Sequence, residues 1–129
     1  MVKEIRKGDA EAYLRKADEF LDAARDNLIK ERFNVAGFDA IQAIINGNDA
    51  LTVYLIGKRA SKDHREAIRM HIEAIRTTGD ASFRQTVKDA LDSRSEVGYS
   101  GRLINRSLAV DLVNKATRFL DWVKRYVVI

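Results

Sequence analysis

The chain has no cysteine, no proline and only seven glycines in 129 residues. The lack of Cys excludes thiol nucleophiles, zinc ribbons and disulfide scaffolds, and fits a reducing compartment. The lack of Pro means that no residue interrupts a helix through a missing N–H. No apolar run approaches the roughly 20 residues of a membrane span. The opening MVKEIRKGDAEAY carries no signal-peptide hydrophobic core, so a cytoplasmic protein with no membrane association is expected. Also missing are a glycine-rich phosphate loop, an HExxH pair, an acidic calcium loop and a nucleophile elbow. Neither a metal nor a cofactor is expected.

What is present is an abundance of helix formers, Ala, Leu, Ile, Glu, Lys and Arg. The length suits a single domain over residues 1–129 that buries about two-thirds of the surface its unfolded chain would expose. The apolar periodicity predicts a first helix from an N-cap at Asp9 to about Arg32, with Tyr13, Ala17, Phe20, Ala24 and Leu28 as its buried stripe. A second helix is expected from a cap at Asn34 to a stop at Gly57. A third follows Ser61 and ends at Gly79, and a fourth runs from about Asp80 to Val97, where Gly98 and Gly101 break the pattern. The last is expected to start at an N-cap Ser107 and to bury Leu108, Leu112, Ala116, Phe119, Val123 and Tyr126. No β-alternation competes. Short connections between amphipathic helices make neighbours antiparallel, so the expected fold is all-α, an up-down bundle of four long helices plus a shorter one.

The stretch from Asn34 to Gly57 is apolar on nearly every side, which belongs at the centre of a bundle. Its small residues Ala36, Ala40, Ala43, Gly47 and Ala50 would let neighbouring helices approach closely. Yet Gln42, Asn46 and Asp49 follow one another along it. Only Asp39 and Asp49 are charged there, in a chain that is 33% charged. An Asp on a central helix needs hydrogen-bond or charge partners, so Asp49 marks a site or an interface.

Charge is uneven along the chain. Residues 1–57 hold eight Lys/Arg against ten Asp/Glu, net −2, and residues 58–129 hold fifteen against nine, net +6. Lys62, Arg65, Arg69 and Arg76 recur along one face of the third helix and are candidate phosphate contacts. Asp63, Glu66 and Glu73 are interspersed on that segment, and favour a solvated mixed-charge face over a nucleic-acid stripe. The two histidines, His64 and His71, share one side of the same helix. Seven apart, they lack the usual four-residue spacing of a metal pair, so partly buried, hydrogen-bonded histidines are expected. His64, at the helix start between Asp63 and Arg65, is the better functional candidate of the two.

A further polar constellation is SRSEVGYSGR, residues 93–102. There Arg94, able to pair with a carboxylate or phosphate, stands five residues before Tyr99, able to donate or to stack on a base. The plainer reading is a helix C-terminus, with the Arg paired to an acid and the Tyr packed on the core.

The segments AYLRKADEFLDAARDNLIKERFNVAGF, AIINGNDAL, LIGKRASKDHREAI and RSEVGY together resemble the HEPN superfamily, from about Tyr13 to Val127. The resemblance implies a four- or five-helix up-down bundle and homodimerisation through helix faces. It also implies association with a minimal nucleotidyltransferase in toxin–antitoxin or defence systems. Many members are metal-independent ribonucleases whose dimers pool an Arg followed four to six residues later by a His, late in the domain. Here Tyr99 stands where that His would be, and no His follows His71. Arg65 and His71 match the spacing, but on the third helix. Tyr, with a pKa of about 10, is a weak general base near neutrality compared with His near 6.5.

The expected function is therefore a homodimeric binding or interaction module in preference to an enzyme, with Asp49, His64, Arg94 and Tyr99 as its cluster. A structural or interface network ranks first, nucleotide or RNA contact second and an endoribonuclease site third. The homodimer expectation draws on the apolar carboxy end, Trp122, Tyr126, Val127, Val128 and Ile129.

Overall fold

The computed structural model describes residues 2–4, 7–60 and 64–128, and of residues 2–4, 7, 64, 95 and 99 it describes the backbone alone. The described residues form five helices: α1 Ala10–Ile29, α2 Phe33–Ile56, α3 His64–Thr78, α4 Arg84–Tyr99 and α5 Arg106–Tyr126. A 3-10 turn, Lys7–Asp9, leads into α1. Helix α2 is the central element and packs against all four others. Its burial of Ala36, Ala40, Ile41, Ala43, Ile44, Ala50, Leu51 and Val53 follows from apolar side chains on nearly every side of the helix. The resulting architecture is an all-α bundle.

Two glycines of α2 set its distance from α5. A Cβ on Gly47 would lie 2.5 Å from Leu120 Cδ2 and 3.2 Å from Phe119 Cε2, and one on Gly37 would lie 2.6 Å from Ile104 Cδ1. Hydrogen in place of a methyl group is what lets the Phe119, Leu120 and Trp122 layer close over α2. Phe83 completes that layer, its ring centroid 5.2 Å from that of Trp122. Gly57 ends α2 in the left-handed region, φ 66°, and its N–H returns to the Val53 carbonyl at 3.0 Å.

Several local expectations are corrected. Asp9 occupies the N-cap position of α1 but makes no side-chain capping bond. Asn34 does not cap α2, which begins one residue earlier; its Oδ1 accepts instead from the Ile104 N–H at 2.6 Å, because the α4–α5 connection folds against that turn. The cap of α5 is Asn105, whose Oδ1 accepts from the Leu108 N–H at 2.9 Å, and Ser107 lies inside the first turn. Leu108 is exposed rather than buried, since α5 starts beyond the edge of the core. Helix α4 starts later than expected and runs through Gly98 to Tyr99, because Gly98 packs on the Phe38 ring and the turn stays helical there. A two-stranded antiparallel ribbon, unmarked by alternation in so short a stretch, joins β1 Val2–Glu4 to β2 Lys58–Ala60 in the register Val2↔Ala60.

The carboxy end is also not the exposed apolar surface it was expected to be. Trp122 and Val127 are buried and Tyr126 is half-buried, leaving Val128 exposed, while Ile129 lies outside the described residues. The larger exposed apolar group, Ile29, Val35, Leu103 and Leu108, gathers at the opposite end of the bundle.

Candidate functional site

Asp49 projects from α2 into a largely buried setting, and burial raises its carboxyl pKa to about 7. Three cations oppose that rise: Arg59 most strongly, then Arg94, then Lys16. They come from β2, α4 and α1, so three elements converge on one acid of the central helix. Among the described residues none of them makes an ion pair with it. The desolvation of the carboxylate therefore outweighs the attraction, and the acid holds its proton toward neutrality.

Arg59 reaches the site because the left-handed turn at Gly57 reverses the chain and β2 runs back beside α2. Its Nη1 donates to the Ala60 carbonyl at 3.1 Å, and its guanidinium lies 5.3 Å from the Tyr13 ring centroid. Its Nε is buried with no hydrogen-bond partner among the described residues. Further along α2, Asn46 Nδ2 donates to the Gln42 carbonyl at 2.9 Å, and Gln42 Oε1 is likewise buried without a partner among the described residues. An arrangement of three cations and one acid that is half neutral near pH 7 has a surplus of positive charge. Such a surplus can attract an anion.

Of the residues singled out in the sequence, the structure brings Arg94 within electrostatic reach of Asp49, from an exposed position on α4. The side chains of His64 and Tyr99, and the whole of Lys62, lie outside the described residues. Arg65, Arg69 and Arg76 are exposed on α3. The acids that seemed to dilute that stripe do not share its face equally: Glu66 is 3% exposed, and Glu73 pairs with Lys58 at 3.5 Å. What α3 turns to solvent is accordingly more basic than the sequence of the helix implies.

Sequence reasoning missed Lys16 and Arg59, whose approach depends on the Gly57 reversal and on α1 lying against α2. Of the two histidines, both expected to be hydrogen-bonded and partly buried, His71 is the one whose side chain is described, and it sits in the core. His71 is buried, with Nδ1 2.8 Å from Asn48 Oδ1, while Asn48 Nδ2 donates to the Ala67 carbonyl at 3.4 Å. Asn48 Oδ1 can only accept, so Nδ1 of His71 carries the proton and Nε2, buried without a partner among the described residues, is bare. Burial first, and the charge of Arg84 second, lower the His71 pKa to about 4. The rings of Phe119 and Trp122 flank it at centroid distances of 6.5 and 6.1 Å. The signal available in the sequence was the Asn48 that sits beside Asp49 on an otherwise apolar helix.

A second unread feature is Asp80, in the turn between α3 and α4. Its Oδ2 accepts from Trp122 Nε1 at 2.7 Å and from Tyr126 Oη at 3.0 Å, and its Oδ1 from the Ser82 N–H at 3.0 Å. These bonds, with the one from the Ser82 hydroxyl foremost, hold its carboxyl well below the usual carboxylate range.

A bundle centred on one apolar helix, with a cation-rich cluster around a largely buried acid of that helix, defines a small all-helical domain. The HEPN domain model matches residues 10–126, and the chain belongs to the HEPN family. No curated protein matches it. No described helix is long and apolar enough to cross a membrane.

Proposed function

We propose that this HEPN-family chain is a binding and interaction module that contacts the phosphates of RNA or a nucleotide, and that it acts as a homodimer beside a minimal nucleotidyltransferase in a toxin–antitoxin type of system. The observation that carries the phosphate reading is the convergence of Lys16, Arg59 and Arg94 on Asp49, an acid whose burial drives it toward the neutral form. An anion entering that cluster meets net positive charge in a partly desolvated setting, where Coulomb attraction is stronger than in water. The outward arginines of α3 support the same reading by adding basic surface on a second element.

The test is fluorescence anisotropy with a labelled single-stranded RNA, and with a labelled ATP analogue, across a salt series. Single strands give a slope of roughly −0.7 in log K against log salt per phosphate neutralised, so three cations predict a slope of about −2. Arg59→Glu and Arg94→Glu should each flatten the slope and weaken binding. Salt-independent binding, or none at low salt, rejects the proposal.

Metal-independent RNA cleavage is a second reading, and one observation favours it. His71 is locked to Asn48 in the core, but Asp49 titrates near neutrality in the same cluster as Arg94, as a general base should. Cleavage of a quenched RNA substrate in the presence of EDTA, lost in Asp49→Asn, would establish it. RNA that stays intact on prolonged incubation with the wild-type protein leaves the binding module as the function.

A further inference from the structure

We infer that the end of the bundle built by the α4–α5 connection is a self-complementary docking surface for a second copy of this chain, Leu103 of each copy entering a cleft on the other. The inference rests on the homodimer part of the reading above and assigns it a surface, away from the carboxy end.

The cleft lies between the last turns of α4 and the first turn of α5 and has a volume of about 190 Å³. Val97, Ile104 and Leu108 line it with apolar groups beside the polar Ser93, Leu103 forms a lip, and the exposed Glu96 and Arg102 stand on the rim. That volume exceeds the roughly 150 Å³ of an apolar cavity that admits a benzene ring, so a leucine side chain fits. Leu103 itself is 78% exposed while its neighbour Ile104 is 6% exposed.

The exposure of Leu103 is held in place by its backbone. On one side the Arg102 N–H donates to Ser100 Oγ at 3.2 Å, and on the other the Ile104 N–H donates to Asn34 Oδ1 at 2.6 Å. A large apolar side chain presented from an anchored loop loses little further freedom on docking. Ile29 and Val35 are exposed at the same end, which the Asn34 to Ile104 bond and the Arg106–Glu31 pair join to the α4–α5 connection. Together they extend the apolar patch.

The occupant follows from the patch carrying both halves of a contact. A two-fold interface brings one surface against itself, so each feature must find its complement within that surface. Here a protruding leucine adjoins a leucine-sized cleft. The rim carries both signs, with Glu96 and Arg102 paired in the single chain and able to face Arg102 and Glu96 of the second copy. A mixed-sign rim around an apolar centre suits a protein copy and not a polyanion.

Light scattering on the full chain at micromolar concentration should give twice the monomer mass of 14.6 kDa. Leu103→Glu should return the mass to that of one chain with an unchanged helical circular dichroism spectrum. Glu96→Arg and Arg102→Glu should each weaken the dimer, since each leaves like charges facing across the two-fold. Mixing these two single variants should restore a dimer, because each chain then supplies the sign its partner lacks, and no contact within one chain can produce that rescue. A monomeric wild-type protein would overturn both this surface and the homodimer reading. A dimer that survives Leu103→Glu, or a mixture that associates no better than either variant alone, would overturn this surface and leave the homodimer reading standing.

Discussion

At Asp49 the folded chain keeps its proton up to a pH of about 7, whereas the unfolded chain gives it up near 3.8. Between those values the folded state binds more protons, so this group makes stability fall as pH rises. His71 acts in the opposite sense. Its folded pKa of about 4 lies below the unfolded value of 6.5, so the unfolded chain binds the extra proton across that window and stability rises with pH. The windows overlap for most of their length, and the two slopes offset each other. Asp49→Asn removes one of them. The variant should be more stable than wild type above pH 7 by roughly 2–4 kcal/mol, and should then lose about 3 kcal/mol on acidification from 6.5 to 4 as His71 acts alone. Urea melts at alkaline, neutral and acid pH measure both, and a variant with the wild-type profile would show that Asp49 ionises normally in the fold. Asp49's demand for partners was legible because an acid on an apolar helix always makes it. Which cations answer was not, because Arg59 arrives by a chain reversal and Lys16 by the packing of α1, neither of which leaves a periodic trace.

At the level of the helices, hydrophobic periodicity located each one to within a few residues, since a buried stripe repeats over many turns and a single misplaced residue hardly blurs it. Their ends were less legible. Asn34, Asn105 and Ser107 are all competent caps by type. Tertiary contact draws Asn34 to the Ile104 N–H, which leaves α2 to start without it, while at α5 it is Asn105 that takes the Leu108 N–H. Asn105→Ala should therefore cost about 1 kcal/mol, the usual loss of a side-chain cap, while Ser107→Ala should cost close to nothing. Thermal denaturation of the pair would separate them, and the reverse order would restore Ser107 as the cap. Gly47 shows the same dependence on a neighbouring helix. The run of small residues pointed to close approach, but only the position of Phe119 and Leu120 makes this glycine the tight point. Gly47→Ala, which should stabilise an isolated helix, is expected to destabilise the protein by about 1–3 kcal/mol through overpacking. A neutral or stabilising result in chemical denaturation would mean that α5 can retreat without loss.

Across the whole molecule, the bundle is closed at the carboxy end of α5 by a polar contact between parts of the chain more than forty residues apart. Asp80 sits in the α3–α4 turn, yet the groups it binds, the Trp122 indole N–H and the Tyr126 hydroxyl, belong to the last turns of α5. No local pattern announces such a clasp, because its members share neither a helix nor a period. Its consequence is directional. Trp122 is 1% exposed, so with Asp80 gone its N–H is left in the core without an acceptor, and the turn loses its hold on α5. Because these bonds depress the folded pKa of Asp80 below the unfolded 3.8, the clasp contributes stability above that value and loses it as pH falls further. Asp80→Ala should lower the melting temperature and shift the emission of Trp122, the only tryptophan in the chain, toward that of a more mobile, wetter indole. Trp122→Phe removes the stranded donor along with the bond. The double variant Asp80→Ala with Trp122→Phe should then be less damaging than the two single losses added together. Strict additivity in that cycle, with unchanged Trp122 emission in Asp80→Ala, would show that α5 is held by its apolar face alone and that the carboxylate in the turn is a bystander.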